Sequence, residues 1–248
     1  MGSKMHRFWE VITTFLHRSR WKRWAVVLCA LLCGHGLQAQ PNQTDAKGRK
    51  QGAWEKHYPD GKLRYTGQFV DDRPVGMFRY FYPDGKPRAE HQYRAQPGRC
   101  TSVQFDEQGV LMARGVYQDE KKDSVWNYYN SEGKTIAVET YRLGVLEGPK
   151  TTFHLNGKPA EVTNYVGGQR EGSWTRFSDA GIVLSKANYA GDKLEGEAVY
   201  WDNDGNKLLS GRYQQGLETG WWVVYEEGRP KERIRYRAGK EVERSPIN

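Results

Sequence analysis

The sequence predicts an all-β protein: an elongated, single-layer antiparallel sheet of about eight stacked β-hairpins, preceded by an N-terminal signal peptide. Three observations carry this expectation. A 24-residue repeat runs through residues 52–240. Each copy places a turn-forming segment at the same point between stretches rich in aromatic and β-branched residues. No stretch beyond residue 39 shows convincing helical periodicity.

The elements are justified in chain order. Residues 1–24 carry Lys4, Arg7, Arg18, Arg20, Lys22 and Arg23 against one acid, Glu10, and the apolar run AVVLCALLC follows at 25–33. A basic n-region, a short apolar core and a small residue at Ala39 read as a secretory signal peptide cleaved after Ala39, with a retained anchor as the alternative. Nine apolar residues fall short of the ~20 that span a bilayer. Leu28 and Leu32 precede Cys29 and Cys33, which argues against a lipoprotein site. Export would place the protein in the periplasm, at the cell surface or outside the cell. Without the six basic residues and one acid of the signal, the 38 basic and 30 acidic residues leave a net charge of only +3, so the +8 of the whole chain is weak support for an anionic partner. Cys100 becomes the only thiol, which excludes an internal disulfide and makes an intermolecular one a candidate.

Residues 40–51 form a polar leader and 52–240 the repeat array. Taking its glycine as position zero, successive copies begin at Gly52, Gly76, Cys100, Ser124, Gly148, Gly172, Gly196 and Gly220. Position 9 holds Gly61, Gly85, Gly109, Gly133, Gly157, Gly181 and Gly205, with Gly228 one residue early. Position 17 holds Phe69, Tyr93, Tyr117, Tyr141, Tyr165, Tyr189 and Tyr213, then Tyr236 after the same slip. Segments such as YPDGK and NDG around position 9 are hairpin turns, because Pro presets φ, Asp and Asn bond back to the backbone and Gly accepts positive φ. Folding each hairpin about position 8 sets the tyrosine at 17 beside the glycine at zero, and an aromatic ring laid over a strand glycine would restore lost contact. Sixteen strands at ~4.8 Å give an array roughly 75 Å wide. Residues 241–248 are read as a charged tail.

The motif G-x-W-x-x-F-x-x-x-G followed by Y-x-x-G-x-x-x-G, at 172–181 and 189–196 with its neighbours, resembles the MORN-repeat variant family, including bacterial proteins labelled YwqK-type antitoxins. That resemblance implies stacked hairpins in a twisted sheet. It implies little about activity, since other MORN proteins are linked to lipid binding and scaffolding. Cys100, Ser124, Ser102, Lys150 and Ala198 depart from the pattern, so distortion is expected in the middle copies, with a partly exposed thiol at Cys100.

Enzyme chemistry finds no foothold, and no catalytic, cofactor or metal residue is assigned. Only His57, His91 and His154 follow the signal, no nucleophile or phosphate-loop motif is present, and DNDGN at 202–206 falls on a hairpin turn. The tyrosines interleaved with Lys and Arg imitate a nucleic-acid platform, but packing accounts for them. No nucleic acid or small-molecule substrate is expected, and the chain reads as a monomer. What remains is a binding surface, with Trp54, Trp126, Trp174 and Trp222 as candidate partner-binding residues. The leading expectation is an exported, non-enzymatic scaffold that binds a protein in the cell envelope. The alternatives are a peripheral phospholipid-binding protein and, more weakly, an antitoxin that neutralises a partner toxin by binding it.

Overall fold

Aromatic residues at recurring positions, Gly at fixed intervals and a turn every dozen residues fold as the repeat requires. The computed structural model describes residues 40–94 and 96–247; the expected signal peptide lies outside them. The described residues contain no helix and form one open antiparallel sheet of 19 strands. A short β1 (Gln43–Thr44) precedes repeat 1, β2 (Lys50–His57) and β3 (Leu63–Val70). Repeat 2 supplies β4 (Arg73–Phe81) and β5 (Pro87–Tyr93), and repeat 3 supplies β6 (Arg99–Phe105) and β7 (Leu111–Gln118). Then come β8 (Lys121–Tyr129), β9 (Thr135–Arg142), β10 (Val145–Phe153) and β11 (Pro159–Val166). Repeats 6 and 7 give β12 (Gln169–Phe177), β13 (Val183–Ala190), the split strand β14 (Lys193–Leu194) and β15 (Gly196–Trp201), and β16 (Lys207–Gln214). The last are β17 (Leu217–Glu226), β18 (Arg229–Arg237) and β19 (Lys240–Pro246). Neighbours in sequence are neighbours in the sheet, with β15 also pairing with β13 past β14.

The segments read from sequence as a polar leader and a charged tail also contribute strands. The leader contributes β1, whose Gln43 and Thr44 pair with Gln51 and Lys50. The charged tail is most of β19, in which Arg244 pairs with Ile234 of β18. Both lack the aromatic signature, and main-chain pairing with the neighbouring strand supplies what their side chains do not announce.

The two turn types alternate along the array. At the position-9 turns, the amide of position 6 bonds the carbonyl of position 10 and the glycine amide bonds back to position 6, as in Tyr58–Lys62 and Gly61–Tyr58. At the connections between repeats, two-residue turns such as Asp71–Asp72 and Gly167–Gly168 have positive φ at both residues, the type I′ geometry that matches strand twist. The one-residue slip in repeat 8 has the same explanation. Glu227 and Gly228 form a two-residue turn with both φ positive in place of the longer loop.

Position zero pairs with position 17 as expected: Gly172 with Tyr189, Gly196 with Tyr213. The reason differs from ring-over-glycine packing. A Cβ placed on Gly172 would meet nothing within 4 Å, but its φ is +78°. That conformation opens a bulge, and from position −2 to 3 the later strand carries two residues more than its neighbour. Ser124 holds the same conformation, with φ +58°. The glycines that rings do cover sit at position 15. A Cβ on Gly67, Gly115 or Gly211 would fall 2.4, 2.3 or 2.1 Å from the ring of Phe78, Trp126 or Trp222.

One face of the sheet forms the core. Phe78, Ser102, Trp126, Ala198 and Trp222 at position 2, Ala89 and Ala113 at position 13, and Thr163, Ala187 and Ile234 at position 15 are all buried. Volumes compensate across joints: Trp126 lies on Gly115, whereas Ser102 pairs with His91. Lys150 replaces the position-2 aromatic and bonds Glu139 at 2.9 Å. The position-5 aromatics, such as Phe81 and Trp201, follow a second bulge between positions 4 and 5 and remain half-buried.

Repeat 3 is where the zero-position bulge is missing. β5 and β6 pair without a register shift from Ala89–Gln104 to Tyr93–Cys100. Cys100 does not have positive φ, and the residues absorbed elsewhere by the bulge lie instead in a longer connection, 94–98. The expected distortion is thus a straightened strand, in which Cys100 pairs with Tyr93 in plain register, whereas Ser124 at the same position of the next copy keeps the left-handed bulge.

Candidate functional site

The straightened β6 places two small buried residues, Cys100 and Ser102, on the aromatic face, and Gly98 precedes it in the connection. A groove of about 790 Å³ opens beside Gly98 and Cys100. Its walls include the rings of Tyr80, His91 and Tyr93 from repeat 2 and Tyr117 from repeat 3, with Met112 and Ala89 below. Tyr80 and His91 have ring centroids 4.9 Å apart, and His91 and Tyr117 5.6 Å. Gln104 donates from Nε2 to the Tyr117 hydroxyl at 3.0 Å. Arg88 lies 5.9 Å from the Tyr80 ring, and Asp119 and Glu120 also line the groove.

Burial sets the electrostatics. It holds the His91 imidazole down to about 4, with Arg88 adding to the effect, so the ring is neutral at physiological pH. Burial likewise pushes the Tyr80 and Tyr93 phenols and the Cys100 thiol upward. None of these groups is poised to ionise near neutral pH. Among the described residues no cluster of His, Cys, Asp and Glu is arranged to hold a metal. The Asp202 carboxylate of DNDGN accepts the amides of Asp204 and Asn206 and closes its own turn.

The candidate residues read from sequence divide sharply. Trp126 and Trp222 are 0% and 1% exposed and cannot meet a partner, a correction to their proposed role. Each ring needs a neighbouring strand glycine, Gly115 or Gly211, to sink to that depth. Trp54 and Trp174 are half-buried and pack edge-on against Phe69 and Tyr189. Tyr93, Tyr117, Tyr141, Tyr165, Tyr189 and Tyr213 are half-buried members of the same face. Cys100 is 3% exposed rather than partly open, and its depth disfavours a bridge between chains.

Sequence reasoning missed the cations at position −2. Lys50 sits 4.7 Å from the Phe69 ring and Arg170 4.2 Å from Tyr189. Lys122 lies 4.9, 5.0 and 5.3 Å from Trp126, Tyr128 and Tyr141, and donates to the Tyr128 hydroxyl at 2.7 Å. Their register with the tyrosines, two residues before position zero, was the available signal.

The class defined by these observations is an open sheet of stacked β-hairpin repeats with one aromatic face. Residues 50–71 and 74–95 match the family model described as the MORN repeat variant, so these two stretches are similar to that repeat. MORN repeats are generally non-catalytic modules that bind proteins or membranes. No curated protein matches the chain. Among solved structures, the crystal structure of TarM is similar at a TM-score of 0.26 and 15% identity, over 48% of this chain and 19% of its own. The Photorhabdus luminescens Tc holotoxin pore gives 0.23 and 14%, over 81% and 13%. This chain spans less than a fifth of either. Similarity at that level carries no argument.

Proposed function

We propose that the protein is an exported, non-enzymatic scaffold whose sheet binds a protein partner in the cell envelope. The observation that carries this reading is the one-sided burial of the sheet. Phe78, Trp126 and Trp222 are buried, while the residues immediately before them, Met77, Val125 and Trp221, are 36%, 47% and 36% exposed. Alternation along a strand puts these three on the opposite face, in repeats 2, 4 and 8. Exposed apolar side chains spaced along a repeat array offer contacts that add. Export rests on the basic and apolar segments of residues 1–39.

Affinity capture from envelope extracts, with liposome flotation of the same protein, tests the proposal. A partner recovered in stoichiometric amount, with no flotation in its absence, is the expected result. Tight binding to lipid with no partner recovered would replace this reading with the peripheral-membrane one. An antitoxin role requires in addition that the captured partner be toxic when expressed alone.

A further inference from the structure

Repeat 4 shows how the aromatic face takes up a cation. Lys122 at position −2 lays its amine among Trp126, Tyr128 and Tyr141, at positions 2, 4 and 17. Repeat 2 has the same three rings, Phe78, Tyr80 and Tyr93. Their arrangement also matches. Phe78 and Tyr80 have centroids 6.5 Å apart and tilted 30°, against 6.4 Å and 31° for Trp126 and Tyr128. The residue at position −2 is Pro74, which has no cation to offer, and its counterpart in repeat 3 is Gly98. The groove opens at these two positions, with Pro74 and Gly98 both in its lining. Among the described residues no side-chain cation lies over Tyr93 or Tyr117, although Lys or Arg covers the position-17 ring in repeats 1, 4 and 6.

We infer that this groove receives an alkylammonium group from outside the chain, the lysine side chain of a protein partner, between the Tyr80 and Tyr93 rings. The inference rests on the protein-binding reading above. Negative ring faces attract a cation, more strongly where water is excluded. The Glu120 carboxylate, which forms no ion pair among the described residues, and Asp119 supply the counter-charge at the rim. These carboxylates also favour a lysine over the ammonium of a phospholipid, whose adjoining phosphate they would repel. The volume lies within the ~300–1,000 Å³ of typical ligand sites. Among the described residues Arg88, beside Tyr80 and His91, is the one cation lining the groove, and it opposes a second.

The test titrates the full protein with Nα-acetyl-lysine amide and with its uncharged counterpart Nα-acetyl-norleucine amide, following tyrosine signals by NMR. The lysine probe is expected to bind about tenfold tighter, as a partly desolvated cation–ring contact implies. Pro74→Lys rebuilds the repeat 4 arrangement within repeat 2 and should abolish probe binding while the protein stays folded by circular dichroism. Glu120→Gln should weaken the probe severalfold, and Arg88→Gln should strengthen it. Equal binding of the two probes, or a folded Pro74→Lys protein that still binds the lysine probe, overturns the inference. Flotation on phosphatidylethanolamine vesicles that Pro74→Lys abolishes would overturn the protein source. Partner capture that survives Pro74→Lys would overturn the site and leave the protein-binding reading intact. Failure to capture any partner would overturn that reading, and the lysine source with it.

Discussion

Glycine does two separate jobs here, and single residues show it. Gly115 has an ordinary strand conformation and lies beneath Trp126, so any Cβ there collides with the indole. Gly172 has open space around it but a left-handed backbone. Gly115→Ala should therefore lower stability by about 2–3 kcal/mol through overpacking, and Gly172→Ala by about 1 kcal/mol through backbone strain. Urea unfolding followed by tryptophan fluorescence separates the two, and equal costs would refute the distinction. His91 supplies a pH dependence. Its folded pKa of about 4 lies below the ordinary value of 6.5, so the unfolded chain binds the extra proton between these values. Stability from this group is complete above pH 6.5 and is lost as pH falls towards 4. His91→Phe keeps the ring and should flatten the unfolding midpoint across that window. A full burial shift would be worth ~1.4 kcal/mol per pKa unit, and partial exposure of the ring reduces the effect to about 1–2 kcal/mol.

At the scale of the element, hairpins are fastened to one another by side chains that reach one repeat onward. Tyr58 and Tyr82 donate their hydroxyls to the carbonyls of Phe81 and Phe105, both at 2.8 Å. At the other edge, Glu147, Glu171 and Glu195 accept the turn amides of Gly167, Gly191 and Gln215 at 2.8–2.9 Å. The recurring Glu before the position-zero Gly thus caps the next type I′ turn. Glu171→Ala and Glu195→Ala should each cost about 0.5–1.5 kcal/mol, the modest net worth of an exposed charge-assisted bond. Hydrogen exchange should show the loss first at the Gly191 or Gln215 amide, and unchanged protection there would refute the capping role. The turns around Asp106, Asn130, Ser178 and Asp202 use a different closure, in which the position-6 side chain accepts amides of its own turn.

Across the whole sheet, each strand contacts its neighbours in sequence, so stability is built from repeats and their joints. Both edges are modest: β1 has two residues, and β19 carries Lys240, Glu241, Glu243 and Arg244 on an exposed strand, charges that discourage edge-to-edge association. Deleting Lys240–Pro246 should uncover the pairing edge of β18 and Ile234, lowering the thermal midpoint and promoting aggregation seen by light scattering. An open array also has a scattering signature. A compact globule of 209 residues would have a radius of gyration near ~17 Å, and residues 40–248 should exceed ~20 Å. The compact value would rule out an extended array in solution.

The sequence by itself determined the period, the turns and the pairing of position zero with position 17. Those features are local, since glycine and turn residues mark backbone conformations wherever they stand, and a hairpin's register follows from its turn. It also marked the middle copies as irregular, through Cys100, Ser102, Ser124 and Lys150, although only the Cys100 copy lost its bulge. Tertiary structure decided what each aromatic is for. Trp126 and Trp222 disappear into the core because of glycines in the preceding repeat, a joint that no single motif contains. It decided that residues 240–246 form a strand, since pairing with β18 needs no aromatic signature. It alone revealed the groove, because the small residues Gly98 and Cys100 leave a concavity only when the tyrosines of neighbouring strands rise around them.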